Sequence, residues 1–325
     1  MNSNSNSTPG DHLLAVIEEC LINYEVDGIN LDYIRYFGND RGYNLLALER
    51  FLRQTNREDI PAPDDEVWKD YRRNRVTEFV KRCAILVWRH RPGAIFSVNV
   101  VGWGPAPIID FSESRPYTDA LQDWRGWWEK GLVDAAFLMD YKRERVELQA
   151  LDFRNWADYT LGLRKKSQRG RLIVGIGGYF NSRDDVVVQY RETVERGLGT
   201  CLFSYNRPTL EASESSGQLV ADRSPVWTRI GEDIYPYPVP LPPPDWRDRQ
   251  SFIAGYLKDS AGKPEAGIPV ALMGTTYRVI SDGSGFFAFC ALPPGNYQLR
   301  VADHYLDGKS IDALPGKVTW LNEKS

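Results

Sequence analysis

An α/β architecture built on one parallel sheet, followed by a small all-β module, is predicted by three observations. Five strand-length apolar runs each follow a helical pattern between Asp11 and Asn206. A proline-rich stretch, 231–250, can continue neither pattern. Beyond it, short alternating segments are separated by the turn signals "DSAG", "SDGSG" and "PPGN".

The first unit joins "DHLLAVIEECLINY", with a helical face of Leu13, Leu14, Ile17, Leu21 and Ile22, to the strand "VDGINLDY". The second joins "VWKDYRRNRVTEFVKRCAILVWRH" to "AIFSVNVVGW", with "RPG" breaking the helix between them. "TDALQDWRGWWEKG" feeds "VDAAFLMDY", "LDFRNWADYTLGLRKK" feeds "RLIVGIGGYF", and "DDVVVQYRETVERG" feeds "GTCLFSYN". Near-continuous apolar strands imply a sheet covered by helices, either doubly wound or part of a (β/α) barrel. The barrel is favoured because no glycine-rich phosphate turn follows any strand, and polar or aromatic residues gather at the strands' C-terminal ends. The segments are read as a domain over 1–230, a linker over 231–250 and a β-sandwich over 251–325.

Composition excludes several function classes. Hydrophobic residues make up 42%, charged residues 26%, and the net charge is −4, so no basic face for nucleic acid is expected. No window approaches a membrane span, and the polar start lacks the regions of a signal peptide. Cys20, Cys83, Cys201 and Cys290 show no zinc spacing and read as small buried hydrophobes. With His12, His90 and His304 in separate segments, neither a His-rich metal site nor a Ser-His-Asp triad is supported, and no cofactor is expected. Aromatics reach 12%, which suits the gripping of sugar rings and core packing alike. The sequence sets no oligomeric state.

The strand ends carry the candidate chemistry: Asp32 and Arg35, Asn99 and Trp103, Asp140 and Tyr141, Tyr179 and Asn181, Ser204 and Tyr205. Glycoside hydrolysis needs two carboxyl groups flanking the scissile bond. Asn30 and Asp32 share a strand face, and Gly28 leaves room beneath them. Asp32 and Asp140 are therefore the candidate catalytic acids. Asn30, Arg35, Asn99, Trp103, Tyr141, Tyr179 and Tyr205 are the candidate substrate-binding residues. Asp140 has a competing structural reading, since Lys142 or Arg143 can pair with it. Trp124, Trp127 and Trp128 are expected to pack against the sheet.

"VDGINLDYIRYF", "YRRNRVTEFVKR", "LQDWRGWWEKGLVD" and "LMDYKRE" resemble, in order, motifs of the bacterial glycosyl hydrolase-like family 10, whose strands often end "VDGIHLDYIRYP" and "PMNYKRE". The resemblance spans roughly residues 8–206. It implies a TIM-barrel hydrolase acting on a carbohydrate, with bacterial envelope glycans as a substrate class and Asp32 matching the family's strand-end acid. Phe37 stands where proline is usual, and Asp140 where asparagine is expected. The resemblance begins at the helix before a fourth strand, implying a partial (β/α)8 barrel of strands four to eight, with a second carboxylate in the part beyond. The tail resembles carboxypeptidase regulatory-like (prealbumin-like) sandwiches through "SDGSGFFAFCALPPGNYQLRV", with Phe287 and Phe289 pointing inward. The expected function is glycoside hydrolysis. The alternatives are an inactive carbohydrate-binding or surface protein, or an isomerase or lyase on the same barrel. An extracytoplasmic or envelope location is expected if a preceding segment carries an export signal.

Overall fold

The computed structural model describes residues 9–167, 169–214, 225–238, 245–302 and 304–321. The polar start, residues 239–244 of the proline-rich stretch and the side chain of His304 lie outside the described residues.

The first sheet has five parallel strands in chain order: β1 (Gly28–Leu31), β2 (Ile95–Val101), β3 (Ala135–Met139), β4 (Arg171–Gly177) and β5 (Gly199–Phe203). Alternate residues divide its faces. Phe96, Val98, Val100, Ala136, Leu138, Leu172, Val174 and Ile176 are buried under helices. The helices are α1 (Pro9–Asn23), α3 (Glu66–His90), α6 (Glu147–Lys166) and α7 (Arg183–Glu195). Of the opposite parity, Asn30, Asn99, Phe137, Met139 and Ile173 are left partly or wholly exposed. With its helices on one face, the sheet is singly wound, which rules out the doubly wound alternative.

Local sequence explains the helix starts. Asp65 caps α3 by accepting from Trp68 N at 2.9 Å, and Ser182 with Asp185 forms a capping box on α7. Over "TDALQDWRGWWEKG" the structure differs from a single helix. α4 (Arg115–Thr118) and α5 (Trp124–Glu129) are separated by Leu121, whose φ of 50° is left-handed. α2 (Leu45–Thr55), between the first and second units, packs its Phe51 with Trp68 and Tyr71 in a separate small cluster. Trp124, Trp127 and Trp128 are at most 1% exposed and pack in the main core with Trp88 and Trp156.

Two further segments follow β5, α8 (Leu210–Glu214) and α9 (Pro225–Asp233), so a helix extends into the stretch expected to be extended. The remaining strands form two sheets. One holds β7 (Pro269–Leu272), β8 (Arg278–Ile280), β10 (Gly295–Val301) and β11 (His304–Ala313). The other holds β6 (Ser251–Tyr256), β9 (Phe286–Leu292) and β12 (Val318–Leu321). Ile253, Phe287 and Phe289 meet Val270, Leu272 and Leu299 in a core between the sheets.

The three-stranded sheet is buried on its other face as well. Phe252, Ala254, Phe286 and Ala288 join the core formed by the first sheet and its helices, where Trp88 lies 4.8 Å from Phe252 between ring centres. The end of the proline-rich stretch is part of this contact, since Trp246 and Arg247 are 4% and 2% exposed. Both anchor on Asp134, just before β3. Of the cysteines, Cys83 is buried and Cys20, Cys201 and Cys290 are half-buried, all as free thiols. No helix among the described residues is long and apolar enough to cross a membrane.

Candidate active site

The C-terminal ends of the strands open onto a cleft of about 390 Å³. Asp32, Arg35, Asn99, Trp103, Tyr141 and Tyr179 line it, together with Tyr33, Met139, Phe180 and Phe203. Six of the nine residues picked from the sequence are thus brought together.

β1 delivers Asp32 on the open face of the sheet. Gly28 is needed for backbone approach rather than for space beneath the acid: a Cβ there would lie 2.2 Å from the Ile95 carbonyl oxygen of β2. Asn30 lies below the cleft, donating to Asn99 Oδ1 at 3.3 Å and accepting from Ser97 Oγ at 2.9 Å. Asp32 Oδ1 accepts from Tyr33 N at 2.7 Å, and Tyr33 holds a left-handed φ of 54°. An aromatic residue pays about 1–2 kcal/mol for that conformation, so the surrounding contacts must hold it there.

Gln122 supplies such contacts. It is fully buried, donates to the carbonyls of Ile34 and Asn99 at 3.2 Å each, and accepts from Val101 N at 2.9 Å. The loop after β1 is thereby tied to the end of β2, and Tyr36 N adds a bond to the Ala120 carbonyl at 2.9 Å. Gln122 belongs to the "LQDWR" stretch, where the tryptophans drew attention away from it.

Arg35 lies over three rings, 4.7 Å from the centre of Trp103, 4.8 Å from Phe37 and 5.3 Å from Tyr33. Its burial lowers its pKa from the usual arginine value, opposed by Tyr33 and Asp32. Across the cleft, Tyr141 stacks on Phe203 at 5.4 Å and 12°, and Tyr179 meets both rings edge-on. Tyr141 can lean there because β4 offers glycine opposite it: a Cβ on Gly177 would sit 2.9 Å from Tyr141 Cβ. Burial raises the Tyr141 hydroxyl above the ordinary tyrosine range. Phe203 and Tyr33 were missed from the sequence. Strand alternation with Cys201 marks Phe203, but nothing local marks the turned backbone of Tyr33.

Asp140 is not in the cleft. It alternates with Met139 and Tyr141, which line it, and is itself 0% exposed on the helix-covered side. Lys142 Nζ lies 3.8 Å away and donates to the carbonyls of Gly102 at 2.7 Å and Gly104 at 3.1 Å. Neither carboxylate oxygen of Asp140 accepts a hydrogen bond from a described residue. Burial pushes its pKa well above the carboxylate range, against the pull of Lys142. Strand parity is the reason for the difference: the last inward position of β3 belongs to Met139, and the next to Tyr141.

Tyr205 also lies outside the cleft, 60% exposed and 5.8 Å from the Trp227 ring. Asn181 is a structural group, donating to the carbonyls of Lys142 and Gly177 and accepting from Glu144 N. Among the described residues, Asp32 is the one carboxylate in the cleft lining, and no group of three or more His, Cys, Asp or Glu is placed to hold a metal.

Comparison with known proteins gives loose structural overlays. A β-glucuronidase of Bacteroides uniformis is 13% identical, with a TM-score of 0.30 over 77% of this chain and 32% of its own. A calcium-binding mutant of β-glucuronidase 2 from the same organism is 13% identical, with a TM-score of 0.34 over 94% of this chain and 40% of its own. A type II cohesin–X-dockerin complex of Acetivibrio cellulolyticus is 20% identical, with a TM-score of 0.17 over 22% of this chain and 51% of its own. This chain thus spans between 32% and 51% of the length of those proteins. No curated protein sequence matches it. The sequence model of the glycosyl hydrolase-like 10 family matches residues 9–176, more than half of the 325 residues and all of the segment from α1 to the end of β4 bar its last residue. The chain belongs to the glycosyl hydrolase-like 10 family.

Proposed function

We propose that the protein is a glycoside hydrolase whose cleft binds a glycan over the strand ends, with Asp32 as a catalytic carboxylate. The observation that carries this reading is the exposed Asp32 side chain in a cleft walled by Trp103, Tyr141, Tyr179 and Phe203. Flat rings complement the apolar faces of pyranoses, and a carboxylate at a strand end is placed to act on the bond between two of them. Envelope glycans fit a family of bacterial glycosyl hydrolase-like proteins, and an extracytoplasmic location follows from that substrate.

The five strands are read as strands four to eight of a (β/α)8 barrel. Chain order, uniform parallel pairing and one-sided helices support this. So do the exposed apolar residues of α1, Leu13 at 51% and Val16 at 42%, and the edge of β1, which pairs only with β2 among the described strands. The second carboxylate that hydrolysis needs then belongs to one of the other strands. The tail is read as a prealbumin-like sandwich with a supporting role.

A second reading is glycan binding without cleavage. It is favoured by the single carboxylate in the cleft lining among the described residues. A panel of glycans including peptidoglycan strands separates the two. Hydrolysis predicts reducing-end release that Asp32→Asn abolishes while the circular dichroism spectrum is kept. Release undiminished in that variant refutes the catalytic role, and glycan retention without release from either protein favours the second reading.

A further inference from the structure

Arg35 is a cation in the cleft that makes no ion pair among the described residues. The rings of Trp103, Phe37 and Tyr33 surround the guanidinium, and burial desolvates it in part. Its N–H donors are little used within the chain. Nη1 meets the Tyr36 carbonyl only at 3.5 Å, and the buried Nε has no hydrogen-bond partner among the described residues. Asp32 is close in sequence but makes no ion pair with it, and one of its oxygens is taken by Tyr33 N. Lys142, the other cation of the lining, is different: the Gly102 and Gly104 carbonyls and Asp140 already surround its Nζ.

A partly desolvated guanidinium with free donors is unfavourable unless a planar acceptor completes it, and a carboxylate matches its fork with two parallel bonds. We infer that Arg35 recognises a carboxylate carried by the bound sugar, so the substrate of this cleft is an acidic glycan. The inference rests on the reading that the cleft binds glycan. The carboxylate can belong to a uronic acid or to a lactyl ether on the ring, since both present the same pair of oxygens. A guanidinium that only stiffened the loop would treat charged and neutral sugars alike.

The test measures affinity by calorimetry with the Asp32→Asn chain, which binds without turnover. The probes are a chondroitin hexasaccharide and peptide-free peptidoglycan strands, each beside its carboxyl-reduced neutral counterpart. The expected result is about a ten- to hundred-fold preference for the carboxylate form of one pair, lost when Arg35→Gln is added. Arg35→Lys, which keeps the charge and loses the fork, is expected to retain only part of it and serves where the glutamine variant fails to fold. The pair that responds identifies the source of the carboxylate. Equal affinity within both pairs, or a preference that survives Arg35→Gln, overturns the inference. Sugar release by the wild-type chain without any preference leaves the hydrolase reading standing alone. A preference dependent on Arg35 in a wild-type chain that releases no sugar leaves the inference standing and refutes hydrolysis. Binding of none of the four probes overturns both.

Discussion

Asp134 Oδ1 lies 2.8 Å from Nε of Arg247, joining the first residues before β3 to the segment that leads into the C-terminal sheets. The same carboxylate accepts from Trp246 Nε1 and Trp88 Nε1 at 3.0 Å and from Phe96 N at 2.8 Å. Arg247 in turn donates to the carbonyls of Pro92 and Ala94. Asp134→Ala would leave Arg247 buried without its counter-charge and three N–H donors without an acceptor. A loss of about 3–5 kcal/mol is expected, read as a lower urea midpoint. Because the core is continuous across the junction, tryptophan fluorescence and far-ultraviolet dichroism should shift together. A loss below about 1 kcal/mol would show that the junction does not depend on this carboxylate.

Asp140 predicts a pH dependence. Its folded pKa is raised by burial, so the folded state holds a proton that the unfolded state has released. The stability belonging to this group is full below the unfolded carboxylate pKa and is lost as pH rises towards the raised value. Wild-type stability should therefore fall relative to Asp140→Asn as pH goes from about 4 to 7. Parallel curves for the two proteins over that range would contradict the assignment.

Gln122→Leu should separate positioning from chemistry. The substitution removes hydrogen bonds to the backbone of Ile34, Asn99 and Val101, while Gln122 is not itself among the residues that line the cleft. About 1–3 kcal/mol of stability is expected to go, since buried partners are left unmade. Glycan affinity should fall in step because the Asp32 to Arg35 turn loses its tether. Affinity equal to wild type in a destabilised variant would place the tether elsewhere.

Two glycines should behave oppositely. Gly177→Ala puts a methyl 2.9 Å from Tyr141 Cβ, so the ring wall must shift, at about 1–3 kcal/mol and with weaker glycan binding. Gly162, inside α6, has nothing within 4 Å of a Cβ, so Gly162→Ala should stabilise by about 0.5–1 kcal/mol. Thermal melts of the pair check both signs.

Much of this was readable from local pattern. Period-2 alternation in "VDGINLDY" put Asn30 and Asp32 on one face, and the structure has both on the open side of the sheet. The same rule, applied through "FLMDY", would have placed Asp140 opposite Met139 and Tyr141. Ending the strand at its most polar residue obscured that. "FFAFC" in β9 likewise signals burial on both faces, since Phe287 serves the core between the two C-terminal sheets and Phe286 the core under the first sheet's helices.

The sequence by itself determined the parallel strands, their helices, the second all-β segment and the acid at the end of β1, because these follow from hydrophobic period and turn chemistry within a few residues. Tertiary structure alone decided that Arg35 rests among three rings with no ion pair among the described residues, and that Trp246 and Arg247 close onto Asp134. Those outcomes depend on strand order, sheet parity and desolvation by residues distant in the chain. No local window contains them.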